Sequence, residues 1–206
     1  MLSAQQALER LREGNRRFVT EGFDPRSGTD RGRRSKLVEG QEPFAVVLGC
    51  SDSRVPAEIV FDVGLGDLFV IRVAGNIVAP SLVGSVEFAA DQLGTRLVVV
   101  LGHSMCGAVQ ATLAELERPA PNRSPNLRSI VDRIRPAVEG LLETELARQP
   151  DALVRHAVRA NVRASANQLR HGSRVLEELI RDDGLRVVGA EYALDTGEVE
   201  CFDGRW

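Results

Sequence analysis

The chain has 206 residues, 43% of them hydrophobic, enough for one proper core, so a single domain over residues 1–206 is expected. Its 26 Lys and Arg stand against 29 Asp and Glu, and a net charge of -3 with scattered arginines argues against a nucleic-acid surface. Three cysteines, an odd count, make no disulfide framework, no apolar run approaches the roughly 20 residues that span a bilayer, and Met1 to Gln6 carry no secretory pattern, so a reducing cytoplasm is the expected setting.

Ser3 to Val19 sets Ala4, Ala7, Leu8, Leu11, Asn15 and Phe18 at helical spacing, with Ser3 as the N-cap. Thr20 to Gln41 is polar and rich in Gly, Arg and Asp, an irregular segment with a short helical piece around Arg33 to Glu39. Phe44 to Gly49 follows Pro43 as a short, β-branched run and reads as a buried strand; Pro56 to Phe61 reads as a short helix. Asp67 to Val73 is a second strand, entered through Gly64 and Gly66. Ala74-Gly75-Asn76 then turns the chain into a helix over Pro80 to Leu93. Arg96 to Leu101 is a third strand and Ser104 to Leu116 the helix after it. Glu117 to Pro125 is a Pro-rich break, too short to separate domains. Helices are predicted over Leu127 to Leu146, Ala152 to Arg170 and Arg174 to Arg181. A fourth strand spans Arg186 to Ala193, and Asp195-Thr196-Gly197 turns into a hairpin arm, Glu198 to Phe202. Strands alternating with helices predict an α/β fold. Its central, mainly parallel β-sheet has four strands plus an antiparallel C-terminal edge strand, flanked by helices and preceded by an N-terminal helical arm.

The reactive groups gather in two loops, each directly after a predicted strand. Gly49-Cys50-Ser51-Asp52-Ser53-Arg54 brings a thiol, a carboxylate and a guanidinium together; Gly102-His103-Ser104-Met105-Cys106-Gly107 adds an imidazole and a second thiol three residues on. In open α/β sheets, ligands bind at the carboxyl ends of strands. If the two strands are neighbours, thiolates and imidazole converge in a donor set that suits zinc.

Cys-x-Asp-x-Arg followed about fifty residues later by His-x-x-Cys resembles the signature of the β-class carbonic anhydrases, bacterial type. The resemblance covers nearly the whole chain. Leu11 to Asn15 with Arg17-Phe18-Val19 is similar to the family's amino-terminal helix, and Asp67 to Val70 with Arg72, Ala74 and Asn76 to its second strand and the turn after it. The resemblance implies reversible hydration of carbon dioxide to bicarbonate and a proton by zinc-bound hydroxide, with Zn2+ held by Cys50, His103 and Cys106. Asp52 has two possible partners: it takes the fourth zinc position in a closed state, or it pairs with Arg54 as a catalytic dyad. The resemblance further implies substrate contacts from Gln41 and Phe69, partly across a dimer interface. By themselves these two read as a surface amide and a core ring. It also implies that residues 1–41 contain an arm packing on a partner subunit, in a homodimer or a dimer of dimers (homotetramer). Some relatives bind bicarbonate at a second site through a Trp, an Arg and a Tyr. Arg72 and Tyr192 match the last two, but Val47 stands in place of the Trp. The expectation is therefore a resting state with Asp52 paired to Arg54.

Two alternatives accompany this reading. A same-fold enzyme could hydrolyse carbonyl sulfide or carbon disulfide, since the attacked carbon is analogous. A non-catalytic zinc protein or a Cys50–Cys106 redox switch would leave Asp52 and Arg54 without work. Cys201, His156 and His171 read as packing or surface residues, and Trp206 as uninformative.

Overall fold

The computed structural model describes residues 1–20, 22, 28–119 and 124–204. The terminal Trp206, and parts of the segments expected as an arm and as a Pro-rich break, lie outside them. Helix α1 (Ala4–Val19) starts on a capping box: the Ser3 hydroxyl accepts from the Gln6 N–H, and the Gln6 side chain accepts from the Ser3 N–H. Its apolar stripe, Ala4, Ala7, Leu8 and Leu11, is buried against the chain's own sheet. Gly14 lets it approach closely, since a Cβ there would fall 1.8 Å from the Phe61 carbonyl oxygen. Helix α2 (Arg31–Lys36) is capped by Asp30, runs into a 3-10 turn at Leu37–Glu39, and buries none of its residues.

The core elements follow as β1 (Ala45–Gly49), α3 (Ala57–Val60), β2 (Leu68–Arg72), a 3-10 turn (Ala74–Asn76), α4 (Pro80–Glu87) and β3 (Leu97–His103). Then come α5 (Gly107–Glu117), α6 (Pro125–Val138), α7 (Pro150–His171), α8 (Arg174–Asp182), β4 (Arg186–Tyr192) and β5 (Val199–Asp203). The five strands lie in the order β2-β1-β3-β4-β5. The first four are parallel, and β5 closes the edge antiparallel to β4 with a register shift at Gly189/Ala190. Every residue of β1 and β3 is buried, as suits central strands covered on both faces.

Alternate strand residues face two cores. Ala45, Val47, Val99, Leu101 and Val188 pack with α1 and α3. Val46, Leu48, Val98, Val100 and Val187 pack with α4, α7 and α8. A third cluster, built from α5, α6 and α7, sits at the carboxyl end of the sheet and includes Cys50 and Cys106. Strand order fixes where a ligand can enter. From β1 the chain steps to β2 on one side and then to β3 on the other, so a crevice opens between the carboxyl ends of β1 and β3.

Candidate metal centre

Both predicted loops meet at that crevice. Cys50 follows the last residue of β1, His103 is the last residue of β3, and Cys106 is the N-cap of α5. One ligand atom from each lies within 4.8 Å of the others, and all three residues are buried. β3 runs two residues further than its apolar pattern predicts, because Gly102 and His103 pair with Glu191 and Tyr192 of β4. α5 starts later than predicted. The Ser104 N–H is held by the Tyr192 carbonyl at 2.9 Å, and Met105 turns through a left-handed φ of 56°, so helical geometry begins only at Gly107. The result lifts the Cys106 sulfur into the crevice beside the helix's positive end.

His103 Nδ1 lies 2.9 Å from the Ser104 carbonyl oxygen and donates its proton there. That leaves Nε2 as the bare lone pair, and Nε2 is buried with no hydrogen-bond partner among the described residues. Cys50 accepts from the Gly75 N–H at 3.3 Å. Its pKa falls to about 4, through a hydrogen bond from the Cys106 thiol first and, against the opposing burial, through His103 and the Gly75 amide. Cys106 moves the opposite way, because its proton is held by the Cys50 sulfur and burial resists a second charge. Burial also resists charge on His103, yet the Cys50 thiolate, the Ser104 carbonyl and the Asp52 carboxylate together raise its pKa. The pocket thus draws positive charge to its centre. A divalent cation supplies it and lets both thiols ionise. Two sulfurs and an imidazole with an orphaned nitrogen fit zinc and leave one coordination position to fill.

Asp52 sits at the rim. Arg54 grips it as a fork, Nε to Oδ1 at 2.9 Å and Nη2 to Oδ2 at 2.8 Å, and the Arg54 N–H adds a third bond at 3.0 Å. The Arg54 side chain therefore holds the carboxyl well below the usual range, against a smaller effect of burial. Oδ2 stands 3.8 Å from His103 Nε2. Arg72 clamps the same loop from β2, donating to the Cys50 carbonyl at 3.0 Å and the Asp52 carbonyl at 2.6 Å. No side-chain motif predicts that clamp; register does, since Arg72 pairs with Gly49 directly before the loop. Tyr192, also buried, pairs with His103 across β3 and β4.

Gln41 and Phe69 stand apart from this cluster within one chain. Gln41 precedes β1 and lines an exposed groove with Arg33, Lys36, Gly66 and Asp67 at the opposite end of the sheet. Phe69 pairs with Val46, four residues before Cys50, or about 13 Å at strand rise. It packs half-buried against Phe88, ring centroids 6.2 Å apart.

Comparison with known proteins places this geometry. The sequence pattern of the carbonic anhydrase family matches residues 45–199. The carbonic anhydrase of Mycolicibacterium smegmatis is 40% identical over 196 residues, covering 94% of this chain and 91% of the relative. Carbonic anhydrase 2 of Mycobacterium tuberculosis is 39% identical over 197 residues, covering 96% and 92%. Among solved structures, a tetrameric β-carbonic anhydrase of Sordaria macrospora superposes with a TM-score of 0.75 at 26% identity, covering 84% of this chain and 87% of its own. The β-carbonic anhydrase CafA of Aspergillus fumigatus also gives 0.75, at 27% identity, covering 97% and 90%. With a doubly covered parallel sheet and a Cys-His-Cys cluster at its switch point, the chain belongs to the carbonic anhydrase family, in its β class.

Proposed function

We propose that the chain hydrates carbon dioxide reversibly to bicarbonate and a proton, with zinc held by Cys50, His103 and Cys106. The observation that carries this reading is the buried Cys-His-Cys cluster with a forked Asp52–Arg54 pair at its rim. Zinc bound there lowers the pKa of a coordinated water and so supplies a nucleophile near neutral pH. Two thiolates donate more charge than histidines would, so activity should rise toward alkaline pH.

The chain's own residues orient that nucleophile. Arg54 engages both Asp52 oxygens, which fixes the carboxylate plane and keeps it ionised. Each oxygen retains a lone pair, and Oδ2, nearer His103, accepts a hydrogen bond from the attacking water. Asp52 would join Cys50, His103 and Cys106 as a metal ligand only in a closed state, and would have to let go of Arg54 to do so. A neutral substrate that becomes an anion needs an apolar wall and a donor; Phe69 and Gln41 supply these across a subunit interface. The distance of both from the thiolates within one chain favours that arrangement.

The same reading takes residues 1–206 as one domain. It takes the arm after α1, whose helix α2 has no fully buried residue, as the part laid on a second subunit of a homodimer or a dimer of dimers. No helix among the described residues is long and apolar enough to cross a membrane. Three free thiols suit a cytoplasmic setting.

Stopped-flow hydration of carbon dioxide against pH, on protein of measured zinc content, tests the proposal. Hydration rising toward alkaline pH supports it. Full zinc occupancy without carbon dioxide activity at any pH would sink it and turn attention to carbonyl sulfide and carbon disulfide.

A further inference from the structure

Two buried polar side chains of α7 reach the turn after β2 from below. Asn161 Nδ2 donates to the Gly75 carbonyl at 2.7 Å, and one helical turn later Ser165 Oγ donates to the Asn76 carbonyl at 3.0 Å. Asn161 is 2% exposed and Ser165 5%. On its other side the same turn presents the Gly75 N–H to Cys50 Sγ at 3.3 Å. Both turn residues are left-handed, Gly75 at φ 72° and Asn76 at φ 43°. Gly and Asn are the residues that enter this region most readily, and α7 holds the carbonyls of both. A Cβ on Gly75 would lie 2.8 Å from Ile134 Cδ1, so no larger residue replaces it without displacing the third core. Asn and Ser are weak helix formers and poor core residues. In the middle of α7's buried stripe, between Val158 and Leu169, their bonds to the turn are what the fold gains from them.

We propose that Asn161 and Ser165 are positioning residues of the metal centre. They hold the Gly75–Asn76 turn in its left-handed form, so that the Gly75 amide donates to the Cys50 sulfur and fixes that ligand before zinc arrives. The inference rests on the zinc reading above and extends it to a helix that contributes no ligand. Partners of this kind typically change metal affinity 10–100-fold.

The test measures zinc Kd on the full-length protein by competition with a chromophoric chelator, beside thermal melting of the zinc-free form. Ser165→Val and Ser165→Thr have the same shape and differ in the hydroxyl. Ser165→Val and Asn161→Leu should each raise Kd about ten-fold, while Ser165→Thr stays near wild type. With cobalt in place of zinc, Asn161→Leu should move the thiolate-to-cobalt charge-transfer band to longer wavelength, because the sulfur loses its amide donor. Leu169→Ala, a buried apolar change on the same helix, should lower melting temperature without moving Kd. Equal Kd values for Ser165→Val and Ser165→Thr, or a Kd loss in Leu169→Ala matching that of Asn161→Leu, would overturn the proposal. If Asn161→Leu does not fold, the Ser165 pair decides. Wild-type protein that takes up no zinc would remove the zinc reading and this proposal together; wild-type binding unchanged in the variants would remove this proposal alone.

Discussion

Cys50 and Cys106 are the same residue type in the same pocket, yet their protons are held very differently. Cys50 collects donors, namely the Cys106 thiol and the Gly75 amide, with the His103 ring beside it, whereas Cys106 faces a thiolate. In the zinc-free protein, absorbance at 240 nm should therefore show one thiolate appearing near pH 4 and no second until above the ordinary value of 9.0. Cys50→Ser should abolish the early step. Cys201 belongs to the late group, pushed up to about 12 by burial. Because the folded pKa of Cys50 lies far below 9.0, its ionised form stabilises the fold fully above that value. That contribution fades as pH falls toward about 4. Asp52→Asn keeps the shape of the rim but removes the charge that Arg54 grips. We expect hydration to fall roughly 10²-fold, with zinc content near wild type. Cysteine, histidine, aspartate and arginine spacing made this much of the site legible in the sequence. The Gly75 amide and the Arg72 clamp were not, because one is a backbone group and the other acts through strand register.

Element by element, the strands were easier to read than the helix ends. A β-branched run such as Leu97 to Leu101 declares itself, but the last two residues of β3 are held by pairing with β4, which no local pattern contains. The helix predicted to reach Leu146 stops at Val138. It runs through Pro136, which gives up one bond to the preceding turn, and the chain then continues as 3-10 turns through Glu139–Glu143 and Glu145–Arg148. The helix predicted over Pro80 to Leu93 is α-helical only to Glu87 and widens into a π turn at Phe88–Gln92. α1 owes its place to one polar residue inside its apolar stripe. Asn15 donates to the Val60 carbonyl at 3.0 Å and the Gly197 carbonyl at 2.9 Å, and accepts from the Val199 N–H at 2.9 Å. It ties the first helix to α3 and to the turn between β4 and β5. Asn15→Ala should lower unfolding free energy by about 2–3 kcal/mol in urea titrations, since it leaves buried backbone groups unpaired. Unchanged stability would mean that water replaces the side chain.

For the molecule as a whole, alternation of strands and helices announced a parallel sheet, and the strand order that makes the crevice followed from it only in three dimensions. Sedimentation of the zinc-loaded protein should show at least a dimer, and shortening the arm after α1 should dissociate it. The switch between β1 and β3 has a consequence in time as well as in space. Cys50 and His103 are about fifty residues apart in the chain, with β2 threaded between them, so their meeting waits on a long loop closure. His103 and Cys106 are near neighbours and can seize a metal ion in the unfolded chain. Zinc offered too early is then a trap rather than a template. Refolding with zinc present from the start should run slower than refolding followed by zinc, and a chelator added in the dead time should restore the faster course.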